Sequence, residues 1–165
     1  MQSFRLPRIL GIDPGSRITG FGVIDVSRGK YTYVTSGTVQ SIEKDFCARL
    51  KTIFEGVRQV VQEQHPTELA IEQVFLHKNV DSALKLGQAR GAALCAAFTK
   101  GMPVTEYMPS QIKQAVVGYG SATKEQVQHM VRLLLQLPAT PSQDAADALA
   151  VAICHCHYAN DRLRT

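Results

Sequence analysis

The amino-acid sequence predicts an α/β fold, with a mixed five-stranded sheet and helices on both of its faces. Three apolar stretches near the N-terminus are joined by short turns, which is typical of antiparallel strands. Two later apolar stretches are each reached through a segment of helical length, so both are expected to run parallel to the first strand. A chain of 165 residues suits one domain with a sizeable core, and it contains no repeat or linker-like tract that would divide it.

The five strands are predicted from short runs of apolar and β-branched residues bounded by turn residues. They span approximately Arg8–Asp13, Thr19–Val26, Lys30–Val39, Leu69–Glu72 and Pro103–Tyr107. The first strand ends at Pro14-Gly15-Ser16, because Pro and Gly suit consecutive positions of a tight turn. Ser27-Arg28-Gly29 is interpreted as the hairpin turn between the second and third strands.

The helices are predicted from apolar residues that recur at three- and four-residue steps. They span approximately Asp45–Gln64, Asp81–Thr99, Pro109 to Gly118 or Gly120, Lys124–Leu135 and Gln143–His157. Pro66 ends the first helix, and Pro109 favours the start of the third. Residues 1–7 and 160–165 are expected to fray at the chain ends.

The second predicted helix is rich in small residues. Gly87 and Gly91 are four residues apart and therefore lie on one face of that helix. A glycine inside a helix costs roughly 1 kcal/mol relative to alanine, so we expect another backbone to pack closely against this face. That backbone belongs either to the domain's own sheet or to a second subunit.

The composition is that of a globular protein, with 45% hydrophobic and 19% charged residues. No signal peptide and no run of about 20 apolar residues is present, so we expect a cytoplasmic protein. The net charge of +4 is compatible with a polyanionic partner but does not demand one. Cys47 and Cys95 lie in apolar-periodic stretches and are expected to be buried free thiols.

Four acidic residues are candidates for a single site. Asp13 and Glu72 each end a strand, and two parallel neighbouring strands bring their carboxyl ends to the same edge of the sheet. Asp144 and Asp147 open the last helix three residues apart, about 60° around the axis, so both carboxylates face one way. Asp13 could instead only cap its turn, and acids are favoured at a helix start whatever the function.

Four carboxylates at one point would raise one another's pKa unless cations were present. Hard oxygen ligands in this number suit Mg²⁺ or Mn²⁺. Two such ions about 3.5–4 Å apart form the arrangement used for in-line phosphoryl transfer. The four acids therefore predict a metal-dependent reaction at a phosphate.

The sequence strongly resembles the RuvC family of Holliday junction endonucleases. The matching segments are ILGIDPGSRITGFG (9–22), AIEQVFLHKNVDSALKLGQARG (70–91), QIKQAVVGYGSATKEQVQHMV (111–131) and LPATPSQDAADAL (137–149). They cover most of the chain, and the second is very specific. The family's four acids all have acidic counterparts here.

The resemblance implies a ribonuclease H-like nuclease domain over residues 1–165 that acts as a structure-selective DNA endonuclease. A homodimer would bind a four-way (Holliday) junction and nick two strands of like polarity at symmetric positions, leaving 5′-phosphate and 3′-hydroxyl ends. The implied cofactor is Mg²⁺, with Mn²⁺ as a substitute and two ions per subunit. The RuvA–RuvB branch-migration complex would be a partner in homologous recombination and DNA repair.

The resemblance also implies roles for particular residues. The metal ligands would be Asp13, Glu72, Asp144 and Asp147, and these four with Lys124 would be the catalytic residues. The DNA-binding residues would be Phe75, Lys113 and Lys124, with Lys78, Lys85 and Arg90 as weaker candidates that flank the same region.

Each of these roles has a simpler alternative. Phe75 would stack on an unpaired base near the crossover, but a core or dimer-interface phenylalanine is also consistent with the sequence. The lysines could be solvated surface residues. At the level of the whole protein, the alternatives are a junction-binding scaffold without catalysis and a nuclease of the same fold that acts on RNA or an RNA–DNA hybrid.

Overall fold

The strands and helices follow one another in the predicted order. The computed structural model describes residues 7–75 and 79–162, the last three of these without side chains. The predictions for residues 1–6, 163–165 and Lys78 lie outside these ranges. The elements are β1 (Arg8–Asp13), β2 (Ile18–Ser27), β3 (Lys30–Gln40), α1 (Phe46–Gln64), β4 (Glu68–Glu72), α2 (Val80–Phe98), β5 (Val104–Tyr107), α3 (Pro109–Val117), α4 (Lys124–Leu134) and α5 (Gln143–Arg162).

The five strands form one mixed sheet in the order β3-β2-β1-β4-β5. β1 pairs antiparallel with β2, and β2 pairs antiparallel with β3. β4 is parallel to β1, and β5 is parallel to β4. The predicted mixed sheet is therefore confirmed, and the carboxyl ends of β1, β4 and β5 lie at one edge.

Helices cover both faces of this sheet. One apolar cluster joins α1 and α2 to the sheet through side chains such as Leu10, Ile12 and Ile53. A second cluster joins α3, α4 and α5 to the other face through Ile9 and Leu149, among others. The alternation of Ile9, Leu10 and Ile12 between the two clusters follows from the two-residue period of a strand.

Helix α5 lies directly against the central strands. A Cβ atom at Gly11 would collide with the carbonyl oxygen of Ala148, and one at Gly20 would collide with that of Asp144. These two glycines therefore allow the backbone of α5 to approach β1 and β2 at the end of the helix that carries its acids. At the other end, Nδ1 and Nε2 of His155 hydrogen-bond the Tyr107 hydroxyl (2.9 Å) and the Glu68 carboxylate (2.7 Å).

One expectation about helix surfaces is wrong, and one of the two alternatives for another is excluded. Cys47 and Cys95 are exposed rather than buried, because the inner faces of α1 and α2 are formed by other residues. Among the described residues, no atom outside the local helix lies within 4 Å of a Cβ built at Gly87 or Gly91. The domain's own sheet therefore does not pack against these glycines.

Helix α5 runs five residues beyond the predicted end at His157. The ring of Tyr158 stacks on the ring of Tyr107, with 5.6 Å between centroids, and this contact supports the additional turn. No helix in the described ranges combines the length and apolar character needed to cross a membrane.

Candidate active site

Two strand ends bring the first two acids together. Ile12 of β1 is in register with Ile71 of β4, so the residues that follow them, Asp13 and Glu72, are neighbours at the edge of the sheet. The two carboxyl groups are close enough to share a hydrogen bond. The parallel pairing of β1 and β4 therefore brings these two side chains together, as the sequence predicts.

The third and fourth acids come from the first turns of α5. The Ser142 hydroxyl accepts a hydrogen bond from the amide of Ala145 (3.4 Å) where the helix begins. Close packing of α5 on Gly20 then holds this end of the helix over the sheet edge. Asp147 reaches the cleft that contains Asp13 and Glu72, whereas Asp144 lies beside this cleft. The charge of Asp144 still acts on Asp13 and Asp147.

The cleft has a volume of about 130 Å³ and combines acids, lysines and apolar side chains. It is lined by Asp13, Glu72, Pro109, Ile112, Lys113, Lys124, Val127, Asp147 and Ala150. α3 and α4 thus form the walls that face the three acids. The sequence-based prediction missed the apolar part of this wall. Its signal was Pro109, which begins a helix two residues after β5 ends at the same sheet edge.

The carboxylates of the cleft are buried beside one another without enough positive charge to balance them. Burial raises the pKa of Asp13, and the charge and hydrogen bond of Glu72 and the charge of Asp144 raise it further. Burial also raises the pKa of Glu72, although the hydrogen bond from Asp13 opposes this. The pKa of Asp147 is raised to about 6, by burial first and then by the charge of Asp13. The site therefore holds more negative charge than its surroundings stabilise.

Two lysines partly offset this charge. Lys124 Nζ lies 3.9 Å from Asp147 Oδ2, and the charge of Lys124 lowers the pKa of Asp13, Glu72 and Asp147. Lys113 acts in the same direction on Glu72 and Asp147. The Lys124 side chain is 66% exposed, so this ion pair contributes little to stability by itself. Both ammonium groups remain accessible to an anionic ligand.

The other predicted DNA contacts are placed differently. Phe75 is 50% exposed and lies three residues after the end of β4. Lys85 forms an exposed ion pair with Asp81 on α2, at 2.7 Å. Arg90 is largely buried and pairs with Glu106 of β5. Neither Lys85 nor Arg90 lines the cleft.

The residues of the cleft fit a divalent cation. Within the described ranges, no three His, Cys, Asp or Glu side chains already stand at the spacing of a closed metal cage. Mg²⁺ does not need such a cage, because it is usually held by one or two carboxylates together with water and substrate phosphates. The adjacent Asp13 and Glu72 carboxylates, with Asp147 across the cleft, supply hard oxygen donors and an excess of buried negative charge.

Comparison with known proteins identifies close relatives. The family model described as crossover junction endodeoxyribonuclease RuvC matches residues 9–155. A protein of that name from Yersinia enterocolitica is 57% identical over 156 residues, which cover 94% of this chain and 90% of the relative. The counterpart from Yersinia pestis (strain Pestoides F) is 56% identical over the same shares.

Solved structures agree with this match. Thermus thermophilus RuvC superposes with a TM-score of 0.84 at 38% identity, over 94% of this chain and 96% of that one. The same protein in complex with a Holliday junction substrate gives a TM-score of 0.87 at 37% identity, over 96% and 97% of the two chains. The yeast mitochondrial Holliday junction resolvase shares the fold alone, with a TM-score of 0.73 at 9% identity over 98% and 84%. The predicted ribonuclease H-like fold is confirmed.

Proposed function

The chain belongs to the RuvC family of crossover junction endodeoxyribonucleases, and we propose that it is a structure-selective DNA endonuclease that resolves four-way (Holliday) junctions. The observation that carries the proposal is the cleft in which Asp13, Glu72 and Asp147 face Lys113 and Lys124. The acids can hold cations, and the lysines can hold the phosphates of a nucleic acid. The whole chain acts as one nuclease domain.

The reaction is hydrolysis of a phosphodiester. Asp13, Glu72, Asp144 and Asp147 would hold two Mg²⁺ ions, for which Mn²⁺ would substitute, and the metal would supply activation of water and stabilisation of the leaving oxygen. Water adds to phosphorus, the bond to the 3′ oxygen breaks, and that oxygen takes a proton. Lys124 stabilises negative charge on the phosphate beside Asp147. The products are 5′-phosphate and 3′-hydroxyl ends.

The cleft alone accounts for cutting, and other residues account for recognition of the branch. Phe75, exposed beside the cleft, stacks on an unpaired base at the crossover. Lys113 contacts the phosphate backbone at the cleft wall. Lys78, Lys85 and Arg90 are weaker candidates, and the ion pair of Arg90 with Glu106 makes Arg90 the weakest of the described ones.

The functional unit is a homodimer built on α2. The outward side of this helix exposes Val80 (65%), Leu84 (63%) and Phe98 (57%), and the uncovered Gly87 and Gly91 lie between them. An apolar surface with two glycines suits close contact with the same surface of a second copy. The two-fold axis of such a dimer would repeat the cleft, which suits paired, symmetric nicks in strands of like polarity.

The cellular role follows from the activity. Resolution of four-way junctions belongs to homologous recombination and DNA repair in the cytoplasm. The RuvA–RuvB branch-migration complex is the proposed partner that delivers the junction. This part of the proposal rests on family membership.

The experiment uses a synthetic immobile four-way DNA junction, labelled on each strand in turn. The protein is incubated with it in Mg²⁺, in Mn²⁺ and in chelator, beside linear duplex DNA and an RNA–DNA hybrid. We expect paired symmetric nicks on the junction only when metal is present. Binding without cutting under every condition would favour the scaffold, and preferential cutting of the hybrid would favour a ribonuclease.

A further inference from the structure

Phe75 is an exposed apolar side chain three residues after Glu72 of the acid cleft, and two other exposed apolar side chains of the described ranges follow β5 and α3. The other two are Met108, which is 41% exposed, and Tyr119, which is 44% exposed. We infer that Phe75, Met108 and Tyr119 form one apolar rim that receives unpaired DNA bases next to the cleaved phosphate. This inference rests on the proposed function and extends its base-binding surface from one residue to three.

The first two members of the apolar rim leave the sheet side by side. Glu72 of β4 is in register with Tyr107 of β5, and the amide of Gln73 donates a hydrogen bond to the Tyr107 carbonyl at 2.9 Å. Parallel neighbours are about 4.8 Å apart, so the chain segments that carry Phe75 and Met108 begin next to each other. Both begin at the edge where Asp13 and Glu72 meet.

The third member is held near the second by the connection between α3 and α4. Gly118 ends α3 with φ 100°, and its amide donates to the Gln114 carbonyl at 2.9 Å. The chain then turns back, so that a Cβ at Gly120 would lie 3.4 Å from the Ser110 carbonyl oxygen in the first turn of α3. Ala122 is buried and Thr123 caps α4, which fixes the far end of the connection. Tyr119 is therefore held beside the helix start that follows Met108.

The charges around the apolar rim favour a nucleic acid as its occupant. The α3–α4 connection lies between Lys113 and Lys124 in the sequence, and both lysines line the cleft. Cations along a groove with aromatic side chains beside them are the arrangement that binds single-stranded nucleic acid, because phosphates meet the cations and bases stack on the rings. The flexible thioether of Met108 adds apolar contact that adapts to any base.

The test compares cleavage of two junctions by matched variants. One junction is fully paired, and the other carries mismatches at the crossover, where the cost of unpairing is already reduced. Tyr119→Ser should cut the paired junction roughly tenfold more slowly and the mismatched junction at nearly the unsubstituted rate. Tyr119→Phe keeps the ring and should behave as the unsubstituted protein. The control is Leu133→Ser, a 55% exposed position about 13 Å along α4 from Lys124, which should cut both junctions normally.

A second measurement does not depend on cleavage. With 2-aminopurine placed beside the crossover, binding of the unsubstituted protein should quench fluorescence through stacking, and Tyr119→Ser and Met108→Ser should each restore part of it. Equal slowing of Tyr119→Ser on both junctions, or unchanged rates and unchanged quenching, would overturn the apolar rim while leaving junction cleavage intact. If the unsubstituted protein cuts no junction, the proposed function fails. The quenching data would still show whether the apolar rim binds unpaired bases.

Discussion

Strand β1 has a charged residue at each end, Arg8 at its first position and Asp13 at its last. At the first end, Arg8 Nε and Nη2 donate to the two carboxylate oxygens of Asp25 at 2.7 and 2.8 Å. Nη1 of Arg8 donates to the Gln64 carbonyl at 2.8 Å. The guanidinium and the carboxylate are thus matched in charge and geometry.

At the other end, the neighbouring charge that acts most strongly on Asp13 is that of another acid, Glu72. Burial and the adjacent Glu72 raise the pKa of Asp13, and the Lys124 ammonium offsets this only in part. Arg8 and Asp13 are only five positions apart in the same strand, so strand propensity does not explain the difference between their surroundings. A matched pair supports the fold, whereas a mismatched cluster costs stability until a cation joins it. That contrast supports the proposal that the second end carries the function.

The largest effect should come from removing a charge at the mismatched end. Asp13→Asn should lower junction cleavage by about 10³-fold or more, because a metal ligand at the reacting phosphate contributes several kcal/mol. Junction binding, measured by gel shift, should persist, since the variant removes a negative charge that faces phosphates. Normal cleavage by Asp13→Asn would show that the site is assigned to the wrong residues.

Neutralising a carboxylate in the acid cluster around Asp13 should raise the free energy of unfolding, whereas neutralising the carboxylate that pairs with Arg8 should lower it. Asp147→Asn should raise the free energy of unfolding of the metal-free protein at pH 7 by about 1–3 kcal/mol, because it removes a buried charge whose pKa is raised to about 6. Urea unfolding in chelator measures this. A loss of stability would mean that the Asp147 carboxylate makes contacts worth more than its burial costs.

The ion pair of Arg8 with Asp25, at the first end of β1, gives the contrasting prediction. Asp25→Asn should lower the free energy of unfolding by about 1–2 kcal/mol, since it weakens a bidentate, charge-assisted pair that is only partly exposed. Cleavage by the folded variant should remain normal, because Asp25 of β2 is in register with Arg8 and so lies at the opposite edge of the sheet from the cleft. A large loss of activity without loss of stability would contradict this separation of the two ends.

Much of the fold follows from local sequence signals. Turn residues such as Pro14 and Pro109 mark element boundaries to within a residue or two, and helical crossovers determine which strands are parallel. Parallel pairing then suffices to bring Asp13 and Glu72 together. The sequence was therefore enough to predict that Asp13 and Glu72 meet at one edge of the sheet.

The rest depends on how helices pack, which a one-dimensional pattern does not contain. The periodicity around Cys95 identifies a helix but not which of its faces meets the sheet, so an exposed thiol was predicted to be buried. Asp147 lines the cleft and Asp144 does not, and the sequence spacing of the two acids gives no sign of this difference. Arg90 was a candidate phosphate contact, but its partner Glu106 lies on a strand 16 residues later, which only the fold reveals.

The smallest expected effect is a difference in how the free energy of unfolding depends on pH between variants at the two ends of β1. The pKa of Asp147 is about 6 in the folded protein and about 3.9 when unfolded, so between these values the folded state binds more protons. Stability of the metal-free protein should therefore fall as pH rises from about 4 to 6, and Asp147→Asn should flatten this slope by up to about 1 kcal/mol per pH unit. Asp25→Asn removes the partner of Arg8 and should lower the whole curve. Urea unfolding of the three proteins in chelator across this range makes the comparison. Parallel curves for Asp147→Asn and the unsubstituted protein would show that burial of the Asp147 carboxylate does not lower stability.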